Sequence, residues 1–208
     1  PPRSTPLYSS AASDVYKRQS YIASLAAIVH LVAGWNEDKQ LMDALKDTPE
    51  LLARAWQLDW SPALPTLTRT EHLFVIARGV GLGIAQEAAL KCKETCRLHA
   101  EAFSGAEVRH GPQALLQSNF PSLMFTQNDE TRPDMEALAG ELIARDVEVL
   151  LAGNAVPGAT QLPTINAHPA IQPLLLAQSF YKLANAVSIA RGCDPDRPPH
   201  LRKITETL

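Results

Sequence analysis

Glu87, Lys91 and Glu94 lie in the stretch QEAALKCKETCRLHAE at spacings of i, i+4 and i+7. At about 100° per residue of helix, the three fall within about 60° of one another, on one stripe. Two carboxylates bracketing an ammonium can keep one carboxylate ionised while the other stands ready to take a proton. A reaction that moves a proton between adjacent carbons, such as an aldose–ketose isomerisation, needs such a base. On spacing alone the commoner reading is a solvated helix face, whose Glu–Lys pair contributes about 0.2–0.5 kcal/mol.

Other residues could join such a site. His110 stands in RHGP, between turn residues, where an imidazole is free to titrate near neutrality and could assist ring opening of a sugar; a surface histidine fits as well. Gly79, Gly81 and Gly83 give R-G-x-G-x-G after an apolar run. That pattern differs from the dinucleotide fingerprint, which needs G-x-G-x-x-G and a later acidic residue. It could offer backbone N–H groups to an anion, or be only a tight turn. Cys92, Cys96 and His99 share a predicted helical stripe, but three ligands fall short of a closed zinc site, and thiols buried against a sheet are the expectation. No metal and no cofactor is implied. Lys203, near the C-terminus, could form a Schiff base if a desolvated pocket received it, though most terminal lysines face solvent.

The elements that would position these residues alternate between strand and helix. Tyr21, Leu25, Ile28, Val29 and Val32 recur at helical spacing and predict a helix over 20–34, closing at Gly34. Residues 37–58 continue the helical pattern, with Pro49 as a candidate break, and Pro62 and Pro65 mark a linker. LFVIA (73–77), SLMFT (122–126) and VEVLLA (147–152) read as buried strands, and Gln161–Ile165 as a fourth. Helices are predicted from about Ile84 to Ala100, over 131–145 and from Ile171 to Arg191, with a loop over Ser104–Pro112. Strands alternating with helices predict an α/β fold of three layers: a parallel sheet with helices on both faces, and ligands at the strand carboxyl ends.

The 208 residues are 46% hydrophobic and 20% charged, enough for one globular core with additional elements. A net charge of -3 gives no sign of a nucleic-acid footprint. Three cysteines argue against a disulfide framework and fit a reducing, cytoplasmic setting. The apolar run Tyr21–Gly34 is too short to span a bilayer, so no membrane association is expected. Residues 1–19 lack periodicity and are rich in Pro and Ser, and SDVYKRQ resembles translated sequencing-adapter read-through. They are therefore set aside as a non-native or disordered segment.

The block IARGVGLGIAQEAALKCKETCRLHAEAFSGAEVRHGP (76–112) resembles the second sugar-isomerase (SIS) domain of glucosamine-6-phosphate synthase and its relatives. The family pattern is a strand, G-R-G, then E-x-A-L-K-x-K-E, H-A-E and H-G-P. The resemblance extends over 20–208 and implies a flavodoxin-like sheet. It implies that 20–60 are helices completing or linking from a truncated first SIS domain, that 61–192 are the second SIS domain, and that 193–208 form a tail over the sugar site. It implies that Glu94 shuttles the proton between C1 and C2, that Glu87 and Lys91 line that site, and that His110 opens the sugar ring from a neighbouring subunit. It gives Lys203 the imine with the ketose phosphate, and makes Gly79 and Arg202 candidate substrate contacts. The partners implied are an amino-sugar or ketose phosphate and a second copy of the chain in a homodimer. The phosphate-binding Ser/Thr loop belongs to the first SIS domain, so the chain by itself is expected to be inactive.

Two catalytic functions share this apparatus, and a third reading is non-catalytic. A SIS-type deaminase releases ammonia from glucosamine 6-phosphate, and the tail HLRKITETL is closer to that group. Glutamine–fructose-6-phosphate aminotransferase runs the amination instead. A sugar-phosphate-binding SIS regulator would need none of the charged set. The deaminase is the expectation.

Overall fold

The apolar runs assemble into one parallel sheet. In a computed structural model, which describes residues 10–198 with side chains from residue 20 onward, the strands are β1 (His72–Ala77), β2 (His99–Ser104), β3 (Ser122–Phe125), β4 (Val149–Ala152) and β5 (Thr160–Leu162). Their order is β2-β1-β3-β4-β5 and all pairings are parallel. This is the flavodoxin-like doubly wound order, with its reversal between β1 and β3. The helices are α1 (Ser10–Trp35), α2 (Lys39–Gln57), α3 (Leu64–Arg69), α4 (Leu82–Cys96), α5 (Gly105–Val108), α6 (Arg132–Ile143) and α7 (Gln172–Ala190).

Alternation along β1 divides the core. Leu73, Val75 and Ala77 point to one face, where Ala85, Ala88 and Cys92 of α4 and Phe180, Tyr181 and Ala184 of α7 cover them. Phe74 and Ile76 point to the other, against Val108 of α5 and Met135, Leu138 and Leu142 of α6. A strand buried on both faces is apolar at nearly every position, which is why β1, β3 and β4 read as continuous apolar runs. A third cluster joins Ala33 of α1, Leu41 and Ala55 of α2, and Leu175 of α7.

The structure departs from the sequence expectations in several places. The predicted helix to Ala100 ends at Cys96, and His99–Ser104, read as helix and loop, is the edge strand β2. Arg97 closes α4 in the left-handed conformation, with φ 51°. That role usually falls to Gly or Asn, so the stop carried no residue signal. The stripe of Cys92, Cys96 and His99 is thereby dissolved, because His99 belongs to β2. Pro49 does not break α2, which runs through it; packing on α1 and α7 outweighs the lost N–H. The Pro62–Pro65 linker folds into a short 3₁₀ turn (Ser61–Ala63) and α3, each with a proline in its first turn, where no N–H is needed. Helix α1 begins at Ser10 rather than Ser20.

Candidate functional site: a charged cluster on α4

Helix α4 packs on the sheet beside α7, with Ala85, Ala88, Ala89, Cys92 and Cys96 buried in the core. These small residues let the helix sit close, and the flank beside them carries Glu87, Lys91 and Glu94. The flank is not a solvated face. The side chains of Lys91, Glu87 and Glu94 are only 10%, 12% and 23% exposed. Lys91 Nζ lies 2.5 Å from Glu94 Oε2 and 3.8 Å from Glu87 Oε1. The ammonium thus bridges both carboxylates, more tightly to Glu94.

Two tyrosines from other helices complete the cluster. Tyr181 of α7 donates its hydroxyl hydrogen to Glu87 Oε1 at 2.8 Å. Tyr21 of α1 donates to the Gly83 carbonyl at the start of α4, at 3.1 Å. Neither was singled out as chemistry-bearing in the sequence. The available signal was a tyrosine within each apolar helix stripe, since a buried phenol generally finds a hydrogen-bond partner. Tyr181 also lines an apolar concavity of about 680 Å³ between α1, α2 and α7, with Ile22, Leu52 and Trp56.

This low-dielectric setting shifts the ionisable groups. Burial pushes the Glu87 carboxyl above the usual range, aided by the negative charge of Glu94 and opposed by the Tyr181 hydrogen bond and the charge of Lys91. Burial, with the charge of Glu87 behind it, pushes the Tyr21 phenol up to about 12. Burial pushes the Cys92 thiol up, as befits a packing residue rather than a nucleophile. A carboxyl that holds its proton more tightly than a free glutamate, near a second carboxylate bound to an ammonium, is an arrangement that can pass a proton.

The other predicted residues do not join this cluster within one chain. His110 is exposed in the turn after α5, with its backbone N–H on the Glu107 carbonyl at 2.9 Å. Helix α5 packs through Val108 into the core on the sheet face opposite α4. Gly79 adopts φ +57° in a 3₁₀ turn after β1. A Cβ there would meet Gln127 Nε2 at 3.4 Å, so the turn is packed against the segment after β3. Arg202 and Lys203 lie outside the described residues. Among the described residues, no group of three or more His, Cys, Asp or Glu is placed to hold a metal ion, and no helix is long and apolar enough to cross a membrane.

This architecture, a parallel sheet in flavodoxin-like order with helices on both faces, matches the fold of solved phosphosugar isomerases. Residues 66–155 match the SIS domain family, and the chain contains a SIS domain there. It is 31% identical over 196 residues to the glutamine–fructose-6-phosphate aminotransferase (isomerizing) of Aeropyrum pernix, an alignment covering 88% of this chain and 31% of that protein. The same enzyme of Methanothermobacter thermautotrophicus is 30% identical, over 89% of this chain and 33% of its own length. The chain therefore spans about a third of the length of these curated relatives. Among solved structures, a protein of Silicibacter pomeroyi assigned as a phosphosugar isomerase superposes with a TM-score of 0.81 at 36% identity, covering 92% of this chain and 57% of that one. A glucosamine-6-phosphate deaminase of Thermotoga maritima shares the fold, with a TM-score of 0.68 at 24% identity, over 89% of this chain and 56% of its own.

Proposed function

We propose that this chain supplies the proton-transfer helix of an enzyme acting on amino-sugar phosphates, and that the reaction converts glucosamine 6-phosphate to fructose 6-phosphate with release of ammonia. The observation that carries the reading is Lys91, held between Glu87 and Glu94 on a largely buried flank of α4. Such a cluster costs desolvation energy that a surface pair would not, and charged groups are retained in such settings where they act. The 36% identity with a protein assigned as a phosphosugar isomerase supports the substrate class.

In this reading Glu94 moves the proton between C1 and C2. Lys91, 2.5 Å from Glu94 Oε2, holds that carboxylate in place, and Glu87, with its raised affinity for a proton, exchanges protons with the sugar oxygens. His110 opens the sugar ring from the second subunit of a homodimer, consistent with its exposure on the far face of the sheet. Lys203 forms the imine with the ketose, Gly79 and Arg202 contact the substrate, and the phosphate is gripped by a first SIS domain. The chain by itself is then inactive.

A second reading is the isomerase part of a glutamine–fructose-6-phosphate aminotransferase, favoured by the names of its curated relatives. The resemblance of the tail HLRKITETL favours the deaminase. Assay of the gene product that contains this chain separates them: ammonia release from glucosamine 6-phosphate without glutamine supports the first, and glutamine-dependent formation of glucosamine 6-phosphate the second. In either case Glu94→Gln is expected to lower turnover by at least about 100-fold, the scale of a lost general base. Full turnover in that variant removes Glu94 from the mechanism.

A further inference from the structure

Asp134, in the first turn of α6, receives two arginines from two different segments of the chain. Its Oδ1 accepts from Arg109 Nη1 at 2.9 Å, and its Oδ2 accepts from Arg78 Nη1. Its backbone carbonyl accepts from Arg109 Nη2 at 3.5 Å. Arg78 follows the last residue of β1 and precedes Gly79, whose φ of +57° turns the chain toward α4 and its charged cluster. Arg109 directly precedes His110. One carboxylate thus ties the strand end that leads into α4 to the turn that carries the histidine.

The turn depends on such anchors. His110 itself is exposed, and Gly111 after it has φ 149°, a conformation that glycine adopts without resistance and other residues avoid. Among the described residues, nothing lies within 4 Å of where a Cβ on Gly111 would be, so packing does not brace the turn there. Its neighbour Arg109 is held from two sides. Besides Asp134, its Nε and Nη2 donate to Glu141 Oε2 and Oε1 at 3.4 and 3.2 Å. Asp134 and Glu141 are seven residues apart on α6, about two helical turns, and so present carboxylates along one face. Gln113 Nε2 donates to the Arg109 carbonyl at 3.0 Å, closing the turn from its far side.

This network fixes direction more than it adds stability. The Arg78 and Asp134 side chains are each 38% exposed and Arg109 is 25% exposed. Ion pairs so open to water contribute little to folding. Burial of Val108 already holds α5 on the sheet. What a planar guanidinium supplies is a rigid fork, and two carboxylates on one helix set its orientation.

We propose that Asp134 is a positioning residue, which through Arg109 sets the direction in which the turn presents His110. Through Arg78 it keeps that turn in register with the start of α4. In a two-fold homodimer each His110 serves the α4 of the other subunit, so one fixed offset within the chain sets the offset in both sites. The inference rests on the reading of His110 as the ring-opening group, and Asp134 acts through that residue rather than on the sugar.

The test uses the gene product that contains this chain, with turnover of the amino-sugar phosphate as its readout. His110→Asn tests the underlying reading and is expected to lower kcat by about 100-fold or more. Asp134→Asn is expected to lower kcat by about 10–100-fold with KM little changed, the scale of a catalytic group displaced by about an ångström. Arg109→Gln cuts the same link from the other side and is expected to do likewise. In a His110→Asn background Asp134→Asn is expected to cost nothing further, because residues that act through one another are not additive. Stability to urea should change little in Asp134→Asn. In this chain alone, the His110 ring signals, identified by their loss in His110→Asn, should shift in the NMR spectrum of Asp134→Asn, whatever the turnover. The proposal is overturned if Asp134→Asn and Arg109→Gln turn over like the parent while His110→Asn does not. It is also overturned if Asp134→Asn lowers turnover by the same factor with His110 absent, or if the His110 ring signals stay in place. Full turnover in His110→Asn removes the ring-opening role itself, and the proposal with it.

Discussion

Tyr181 on α7 donates a hydrogen bond to Glu87 Oε1 on α4 at 2.8 Å, across 94 residues of chain. It fixes the rotamer of Glu87 from outside its own helix and is one of two groups, with Lys91, that favour the ionised carboxylate. Without it, burial would raise the Glu87 pKa further. Tyr181→Phe is therefore expected to destabilise the chain by about 1.5–3 kcal/mol at neutral pH, the scale of a hydrogen bond to a charged acceptor. The cost should shrink in acid, where Glu87 is protonated and accepts more weakly. Urea denaturation at neutral pH and near pH 4 reads both, and an equal cost at the two would argue that Tyr181 acts through packing alone.

Glu87 itself makes stability depend on pH. Its folded pKa is raised above the unfolded value, mainly by burial. Between an unfolded pKa of about 4.3 and the raised folded value, the folded chain binds more protons than the unfolded one, so its stability falls as pH rises through that window. Glu87→Gln removes this contribution. The stability of the variant relative to the parent should rise with pH from about 4 upward and level off once Glu87 is ionised in the folded parent. A difference that is flat or falls with pH would mean that Lys91 and Tyr181 outweigh the desolvation.

The apolar runs of β1, β3 and β4 were plain in the sequence because strands buried on both faces are apolar at nearly every position, Ser122 at the start of β3 being a buried polar exception. Strand β2 was not. HAEAFS alternates, as an edge strand should, but its Ala and Glu content suits a helix, and Arg97 gave no stop signal. The charged stripe of α4 was legible from spacing; its burial was not, because its neighbours, such as Tyr181 on Glu87, arrive from helices remote in the chain. A crevice lined by the amides of Asn128, Asn154, Gln161, Asn166 and Gln172 was equally hidden. It is assembled from residues after β3 and β4, from Gln161 of β5 and from the segment after β5, none of which stands out within its own segment.

Gly153 follows β4, where its backbone passes against the Thr126 side chain. A Cβ at Gly153 would collide with Thr126 Oγ1 and come within 3.1 Å of Thr126 Cβ. Thr126 is 4% exposed and has little room to yield. Gly153→Ala is expected to cost about 1–3 kcal/mol by overpacking, measured by thermal or urea unfolding. Adding Thr126→Ala removes the worst contact and should restore much of the loss. A double variant no better than the single one would place the strain in the backbone instead.

Arg191 closes α7 and ties it to two other helix ends. Its Nε donates to the Cys96 carbonyl, the last residue of α4, at 2.7 Å, and its Nη1 reaches the carbonyls of Leu67, Thr68 and Thr70 around the end of α3 at 3.2, 2.9 and 2.8 Å. Carbonyls at helix C-termini lack intrahelical donors and carry partial negative charge, so one cation serves both ends. A lysine keeps the charge but is a single point on a flexible stem, unable to span both sites as the planar guanidinium does. Arg191→Lys is therefore expected to cost about 2–3 kcal/mol, the loss of charge-assisted hydrogen bonds to part-buried acceptors. The effect should also be local: amide hydrogen exchange should quicken in α3 and the last turn of α4 before it does in β3 and β4. Stability unchanged in Arg191→Lys, with exchange in α3 as slow as in the parent, would show that these carbonyls need no shared donor and that apolar packing alone holds α3 in place.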